Sequence, residues 1–208
     1  MKRALAVLVV LLALPAVALP ALAVAYHAAS TTGGGVVPCV AGATLDGAPC
    51  LPEPGPAASY RGDSSRCVQD PSGTSGCVTP TLAHLYTQIE ATFGHQPAAC
   101  WSPRGGDPRS DHPQGRACDY TIGRIGTYPN PTDTARGWQL AHWLHDNATA
   151  LHIDYVIWQG RIWSQRRAAE GWRAYTGGGY YPSTGPTFGH HDHVHVSVTE
   201  KETVGATV

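Results

Sequence analysis

The sequence predicts an α+β fold in which helices pack against a small antiparallel sheet that carries a metal site. Residues 79–94 and 131–153 have apolar residues at the spacing of amphipathic helices. Three further segments, "CDYTI", "DYVIWQGRIWS" and "HHDHVHVSV", are rich in the β-branched and aromatic residues typical of strands. Since helices cover one face of such a sheet, we expect the metal ligands on the strands, away from the helices.

The first predicted helix has clear end signals. Thr79 stands at the N-cap position, Pro80 at the first helical position, and Gly94 terminates the pattern. Its apolar face carries Leu82, Leu85, Tyr86 and Ile89. The apolar stripe of the second helix carries Trp138, Ala141, Leu144 and Ala148.

The strand segments predict two local features. Gln159 and Gly160 separate two β-rich arms, which indicates a hairpin with a two-residue turn. Strict alternation in the last segment places His193 and His195 on one face of its strand. The valines between and after them lie on the opposite face.

The chain ends differ from this central part. Residues 1–26 begin with Lys2 and Arg3 and continue with a long apolar run, which predicts a signal peptide or an uncleaved N-terminal membrane anchor, with export favoured. Residues 27–66 are rich in Gly, Pro and Ala and indicate a linker or loosely ordered stalk. We expect a domain over residues 67–200, followed by a tail over 201–208. The net charge of -1 gives no basic field for nucleic acid.

Six cysteines behind an export signal predict disulfides in an oxidising compartment. Sequence alone permits fifteen pairings. Local spacing favours Cys39 with Cys50, Cys67 with Cys77 and Cys100 with Cys118. A cysteine zinc site is disfavoured because the chain has no C-x-x-C pair.

The segment "SDHPQGRACD" contains the first candidate metal ligands. Pro113 and Gly115 oppose a helix there, so we expect the chain to turn near Gly115 and to bring Asp119 back beside His112. With His195 these residues supply two histidines and a carboxylate. That set, with an open fourth position, is typical of zinc sites that activate water.

These motifs resemble a known family. The pattern S-x-H-x-x-G-x-A-x-D over residues 110–119, followed by H-x-H over 193–195, is similar to that of the zinc D-Ala-D-Ala carboxypeptidases and related LAS peptidases, which cut peptidoglycan stem peptides. The resemblance covers roughly residues 67–198 and is closer still to a set of actinobacterial exported proteins. It implies a hedgehog/DD-peptidase-like fold and a Zn²⁺ ion bound by His112, Asp119 and His195.

The general base departs from the family pattern. Many members place a glutamate three residues before the last histidine, where this chain has Asp192. We predict His193 as the base, because it shares a strand face with His195, with Asp192 as the second candidate. Ser110 and Arg116 are weaker candidates for substrate contacts.

A rival ligand pair lies in the second helix. His142 and Asp146 have a spacing that resembles the lysostaphin-type zinc endopeptidases, which also use an H-x-H strand. An i, i+4 His–Asp pair on an amphipathic helix is more often a surface interaction.

The resulting prediction is a monomeric zinc metallopeptidase of the cell envelope, secreted or tethered by its N-terminus, that acts on peptidoglycan peptides. It would be a D,D-carboxypeptidase or an endopeptidase. The alternative is a non-catalytic, zinc-stabilised domain that binds the cell wall or serves as a scaffold, because a fold alone does not guarantee catalysis.

Overall fold

The computed structural model describes residues 44–45, 48–49, 51, 53–63, 66–104 and 109–199. The predictions for residues 1–26, residues 201–208 and the Cys39–Cys50 pair lie outside these residues. None of the helices formed by the described residues is long and apolar enough to cross a membrane.

A six-stranded antiparallel sheet forms the centre of the fold. Two short two-stranded ribbons precede it: β1 (Thr44–Leu45) with β2 (Ala48–Pro49), and β3 (Val68–Gln69) with β4 (Cys77–Val78). The central sheet has the order β5-β6-β10-β7-β8-β9 and contains β5 (Ala98–Ala99), β6 (Ala117–Thr121), β7 (Ile153–Trp158), β8 (Arg161–Ser164), β9 (Arg173–Ala174) and β10 (His193–Val198). The α+β prediction is confirmed.

Helix α1 (Pro80–Phe93) has the predicted ends. The Thr79 hydroxyl accepts a hydrogen bond from the Leu82 N–H, and Gly94 ends the helix with a φ of 72°. Helix α2 (Pro131–Asp146) begins after Asn130. It ends well before the predicted position 153, because the Asn147 amide caps it by donating to the Trp143 carbonyl oxygen.

The two faces of β10 have different roles. Its three valines, Val194, Val196 and Val198, are fully buried in a core that includes the apolar faces of α1 and α2. The opposite face carries His193, His195 and Ser197. The predicted alternation is confirmed, and it places the histidines on the face of the sheet away from the helices.

The hairpin between β7 and β8 is also confirmed. Gln159 and Gly160 form its two-residue turn with φ angles of 50° and 66°. Positive φ at both positions is the backbone that matches the twist of two paired strands.

Part of the predicted linker is bound to the domain. The Gly55 carbonyl oxygen accepts a hydrogen bond from the Trp143 indole, and the Ala57 and Ala58 N–H groups donate to Asn147 and Gln88. The stretch from Gly55 to Ala58 is therefore held against α1 and α2 rather than loosely ordered.

Two of the predicted disulfides are present. Cys67 pairs with Cys77, and Cys100 pairs with Cys118. Disulfides form and persist in oxidising compartments, so this chain suits an environment outside the cytoplasm.

Candidate metal centre

The predicted turn within the first motif is confirmed. The Gly115 N–H donates to the His112 carbonyl oxygen, and the Arg116 N–H donates to that of Asp111. Gly115 has a φ of 65°, and a Cβ at this position would lie 2.5 Å from the Cys77 carbonyl oxygen. Only glycine meets both requirements without strain, and the turn returns the chain into β6.

The pairing of β6 with β10 brings the distant ligand into place. Asp119 lies directly opposite His195 in this antiparallel register. Cross-strand partners project from the same face of a sheet, so the carboxylate and the imidazole meet on the face away from the helices.

His112, Asp119 and His195 converge. Their ligand atoms all lie within 4.8 Å of one another. The Asp119 Oδ2 atom is 3.2 Å from His112 Nε2, and Oδ1 is 2.7 Å from His195 Nδ1. These are the only described residues that form a group of three or more histidine, cysteine, aspartate or glutamate side chains able to hold a metal.

His112 provides the test of whether a metal fits. Its Nδ1 lies 3.2 Å from the Cys100 carbonyl oxygen, which can only accept, so Nδ1 carries the proton. Its Nε2 then offers a lone pair, and this buried atom has no hydrogen-bond partner. This lone pair faces a carboxylate oxygen at 3.2 Å, and a cation bound by both atoms would remove the repulsion between them. The donor set therefore fits Zn²⁺.

The charges at the site favour metal binding. Burial would raise the pKa of Asp119, but its close contacts with His112 and His195 hold that pKa well below its ordinary range. Burial lowers the pKa of His195. At neutral pH the carboxylate is therefore ionised and the imidazole neutral, as metal ligands must be.

Arg104 also contacts the carboxylate. Its guanidinium lies 2.9 Å from Asp119 Oδ2, the oxygen that faces His112. Arg104 has a left-handed backbone with a φ of 43°. A metal at the three ligands would compete with this cation for the same oxygen.

His193 and Asp192 form a hydrogen-bonded pair beside the ligands. The His193 Nδ1 N–H donates to Asp192 Oδ1 over 2.7 Å, and Nε2 lies 3.7 Å from Asp119 Oδ1. Asp192 has no exposed surface and accepts further hydrogen bonds from the Thr187 hydroxyl and the Gly126 N–H. Burial would raise the pKa of Asp192, but these hydrogen bonds hold it below its usual value.

Ser110 and Arg116, the weaker candidates for substrate contacts, differ in whether they face the cleft beside the candidate ligands. Ser110 lines the cleft. Arg116 is not among the residues that line it, and its guanidinium binds Asp111 Oδ1 over 2.6 Å. Arg116 therefore braces the turn instead of facing a substrate.

The ligands open into a cleft of about 260 Å³. Its wall includes His190 and several residues that the sequence did not single out: Arg109, Asp111, Tyr155, Tyr175, Tyr181, Thr187 and Phe188. Burial, together with the nearby His195 and His193, lowers the pKa of His190 to about 3. Phe188 is 57% exposed, so the rim presents apolar surface to a ligand.

The rival pair is not part of this site. His142 stacks on Trp138 at 5.1 Å between ring centroids and meets Trp172 at 5.9 Å. Neither His142 nor Asp146 joins a metal-binding group within the described part of the chain. His142 therefore lies in an aromatic cluster, while Asp146 contacts His145 Nδ1 at 2.6 Å.

The fold and site define an α+β domain with a candidate metal centre at the base of a cleft. Residues 74–184 match the family model described as VldE, C-terminal domain. This match spans more than half of the 208 residues, so the chain belongs to that family. The matched span contains His112 and Asp119 and ends before β10. No curated protein and no solved structure matches the chain.

Proposed function

We propose that this protein is an exported zinc-dependent peptidase that hydrolyses peptide bonds in peptidoglycan stem peptides. The observation that carries the proposal is the convergence of His112, Asp119 and His195 at the base of an open cleft. Two histidines and one carboxylate leave a coordination position for water or substrate, whereas structural zinc sites are closed by four protein ligands.

The proton transfers fall to His193. A bound zinc ion supplies a water of lowered pKa, near 7, and polarises the scissile carbonyl group. His193 presents Nε2 to the same space, so it can accept a proton from the nucleophile and return it to the leaving amine. Asp192 acts through His193, because its buried carboxylate fixes the Nδ1 proton and thereby the orientation of the ring.

The cleft wall suits a peptide that carries carboxylates. Arg104 and Arg109 provide positive charge near the ligands, and Tyr181 and Phe188 provide apolar surface. Stem peptides combine small apolar side chains with free carboxylates. The motif resemblance to zinc D-Ala-D-Ala carboxypeptidases and LAS peptidases supports the same substrate class and a hedgehog/DD-peptidase-like fold.

The proposed location is the cell envelope. The apolar N-terminal run supports export by a signal peptide, or retention as a membrane anchor, and the disulfides support an oxidising compartment. The protein would then meet peptidoglycan directly as a monomer.

Defined muropeptides test this proposal. The purified protein is incubated with a pentapeptide stem ending in D-Ala-D-Ala and with a crosslinked dimer, each with zinc and with chelator, and products are identified by mass spectrometry. We expect chelator-sensitive cleavage that zinc restores. Release of D-alanine would indicate a carboxypeptidase, and splitting of the dimer an endopeptidase.

A control variant separates this site from the rival pair. His142→Ala should cleave as the wild type does, because His142 lies in the aromatic cluster. A zinc-loaded wild type that leaves every peptide intact between about pH 5 and 8, where a histidine base titrates, would contradict the peptidase proposal and favour the scaffold.

A further inference from the structure

We propose that Tyr155 and Asp111 are positioning residues that orient His195 for metal binding. This inference rests on the proposed zinc site but concerns residues that do not bind the metal themselves. Tyr155 lies on β7 and Asp111 belongs to the turn that carries His112. The two residues would link the sheet to the ligand turn.

Tyr155 contacts the His195 ring in two ways. The two rings stack with 5.3 Å between centroids and an interplanar angle of 18°. The Tyr155 hydroxyl oxygen also lies 3.3 Å from His195 Nε2. The stacking restrains the tilt of the imidazole, and the hydroxyl contacts Nε2, the ring nitrogen on the side away from Asp119.

The direction of these hydrogen bonds follows from Asp111. The Tyr155 hydroxyl donates to Asp111 Oδ2 over 2.8 Å. The Tyr155 oxygen is therefore free to accept a hydrogen bond from the Nε2 N–H of His195. The Ser197 hydroxyl lies 3.1 Å from the same nitrogen and can share that proton.

Placing the proton on Nε2 frees Nδ1 to bind a metal. Nδ1 is the nitrogen that faces Asp119, at 2.7 Å from Oδ1. Metal-binding histidines usually donate their other N–H to an oxygen partner, which fixes the tautomer and the ring orientation. The carboxylate of Asp111 polarises the tyrosine hydroxyl and makes its oxygen a better acceptor.

Arg116 completes this set of contacts. Its guanidinium donates to Asp111 Oδ1, whereas the Tyr155 hydroxyl donates to Oδ2 of the same carboxylate. Two residues of the first motif that bind no metal are thereby accounted for. The turn therefore carries His112 itself, and the adjacent Asp111 supports His195 through Tyr155.

Removing one oxygen atom tests the inference. Tyr155→Phe keeps the stacked ring and loses the hydroxyl. Partners of this kind typically contribute 10- to 100-fold to metal affinity, and with Ser197 remaining we expect zinc binding to weaken by about tenfold. Affinity is measured by competition with a chromophoric chelator, and Asp111→Asn should weaken binding in the same direction.

The histidine tautomer gives a second readout. In zinc-loaded wild type, ¹⁵N NMR should show His195 protonated at Nε2, with slow exchange of that proton. In Tyr155→Phe the exchange should accelerate. A merely structural role for Tyr155 would change unfolding without moving this signal.

Tyr86→Phe is the matched control, because Tyr86 packs against Tyr120 and is not among the residues that line the cleft, so its zinc affinity should match that of wild type. Unchanged affinity and exchange in Tyr155→Phe would overturn the inference, as would an equal loss in Tyr86→Phe. A loss confined to Ser197→Ala would also overturn it and give the role to Ser197. If wild type binds no zinc, the proposed function itself fails, which is a distinct outcome.

Discussion

Replacing Cys100 and Cys118 together by alanine should weaken both the fold and the metal site. Both cysteines are fully buried, so alanine is accommodated without exposing a polar group. Their disulfide closes a loop with a sequence separation of 18, for which chain entropy predicts about 3 kcal/mol of stabilisation. The free energy of unfolding should fall by about that amount, as measured by denaturant titration of metal-free protein.

The same disulfide positions two of the proposed metal ligands, His112 and Asp119. The Cys100 carbonyl oxygen fixes the proton on His112, and Cys118 directly precedes Asp119. The entropy of the unfolded chain cannot by itself change metal affinity in the folded state. A loss of zinc affinity, which we expect to be about tenfold or more, would therefore report the geometric role of the disulfide.

Leu151→Ala is the control for general destabilisation. Leu151 is fully buried, and it is not among the residues that line the cleft. Truncating a buried leucine costs about 2 to 5 kcal/mol, comparable to the loss of the disulfide. Its zinc affinity should match that of wild type. Equal zinc affinities in wild type and in the variant with both Cys100 and Cys118 replaced by alanine would refute the reasoning.

Three further outcomes follow from the site. His193→Ala should retain zinc while muropeptide hydrolysis falls roughly 100-fold or more, and activity that survives there but is lost in Asp192→Ala would assign the base to the carboxylate. Arg104→Ala should bind zinc up to about fivefold more tightly, because a half-exposed ion pair worth up to about 1 kcal/mol no longer competes for Asp119; weaker binding on chelator titration would contradict this. The lowered pKa of Asp192 contributes stability above its unfolded-state value, near 3.9, and this stability is lost as the pH falls below that value. Unfolding of metal-free Asp192→Asn should therefore depend less on pH between about 5 and 3, and identical dependence in both proteins would exclude this role.

Local signals account for the parts of the molecule that the sequence predicted. The Thr79 cap, the Gln159–Gly160 turn and the alternation in β10 each depend on a few neighbouring residues. The convergence of His112, Asp119 and His195 was predictable because Gly115 marks a turn and because a strand places every second residue on one face.

The remaining features depend on pairings between distant segments. Tyr155 reaches His195 because β7 pairs with β10, with Tyr155 opposite Ser197, and no local pattern encodes that register. Arg116 binds Asp111 within the turn, although its charge suggested a substrate contact. The stretch from Gly55 to Ala58 binds the helices mainly through backbone groups, which leave no hydrophobic periodicity in the sequence.

Zinc stoichiometry by native mass spectrometry tests the central claim most directly. The account predicts one zinc ion per chain in wild type and in His142→Ala, and loss of that ion in His112→Ala and in His195→Ala. Circular dichroism of each metal-free variant controls for folding. Retention of one zinc ion by both His112→Ala and His195→Ala, or its loss in His142→Ala alone, would contradict the account.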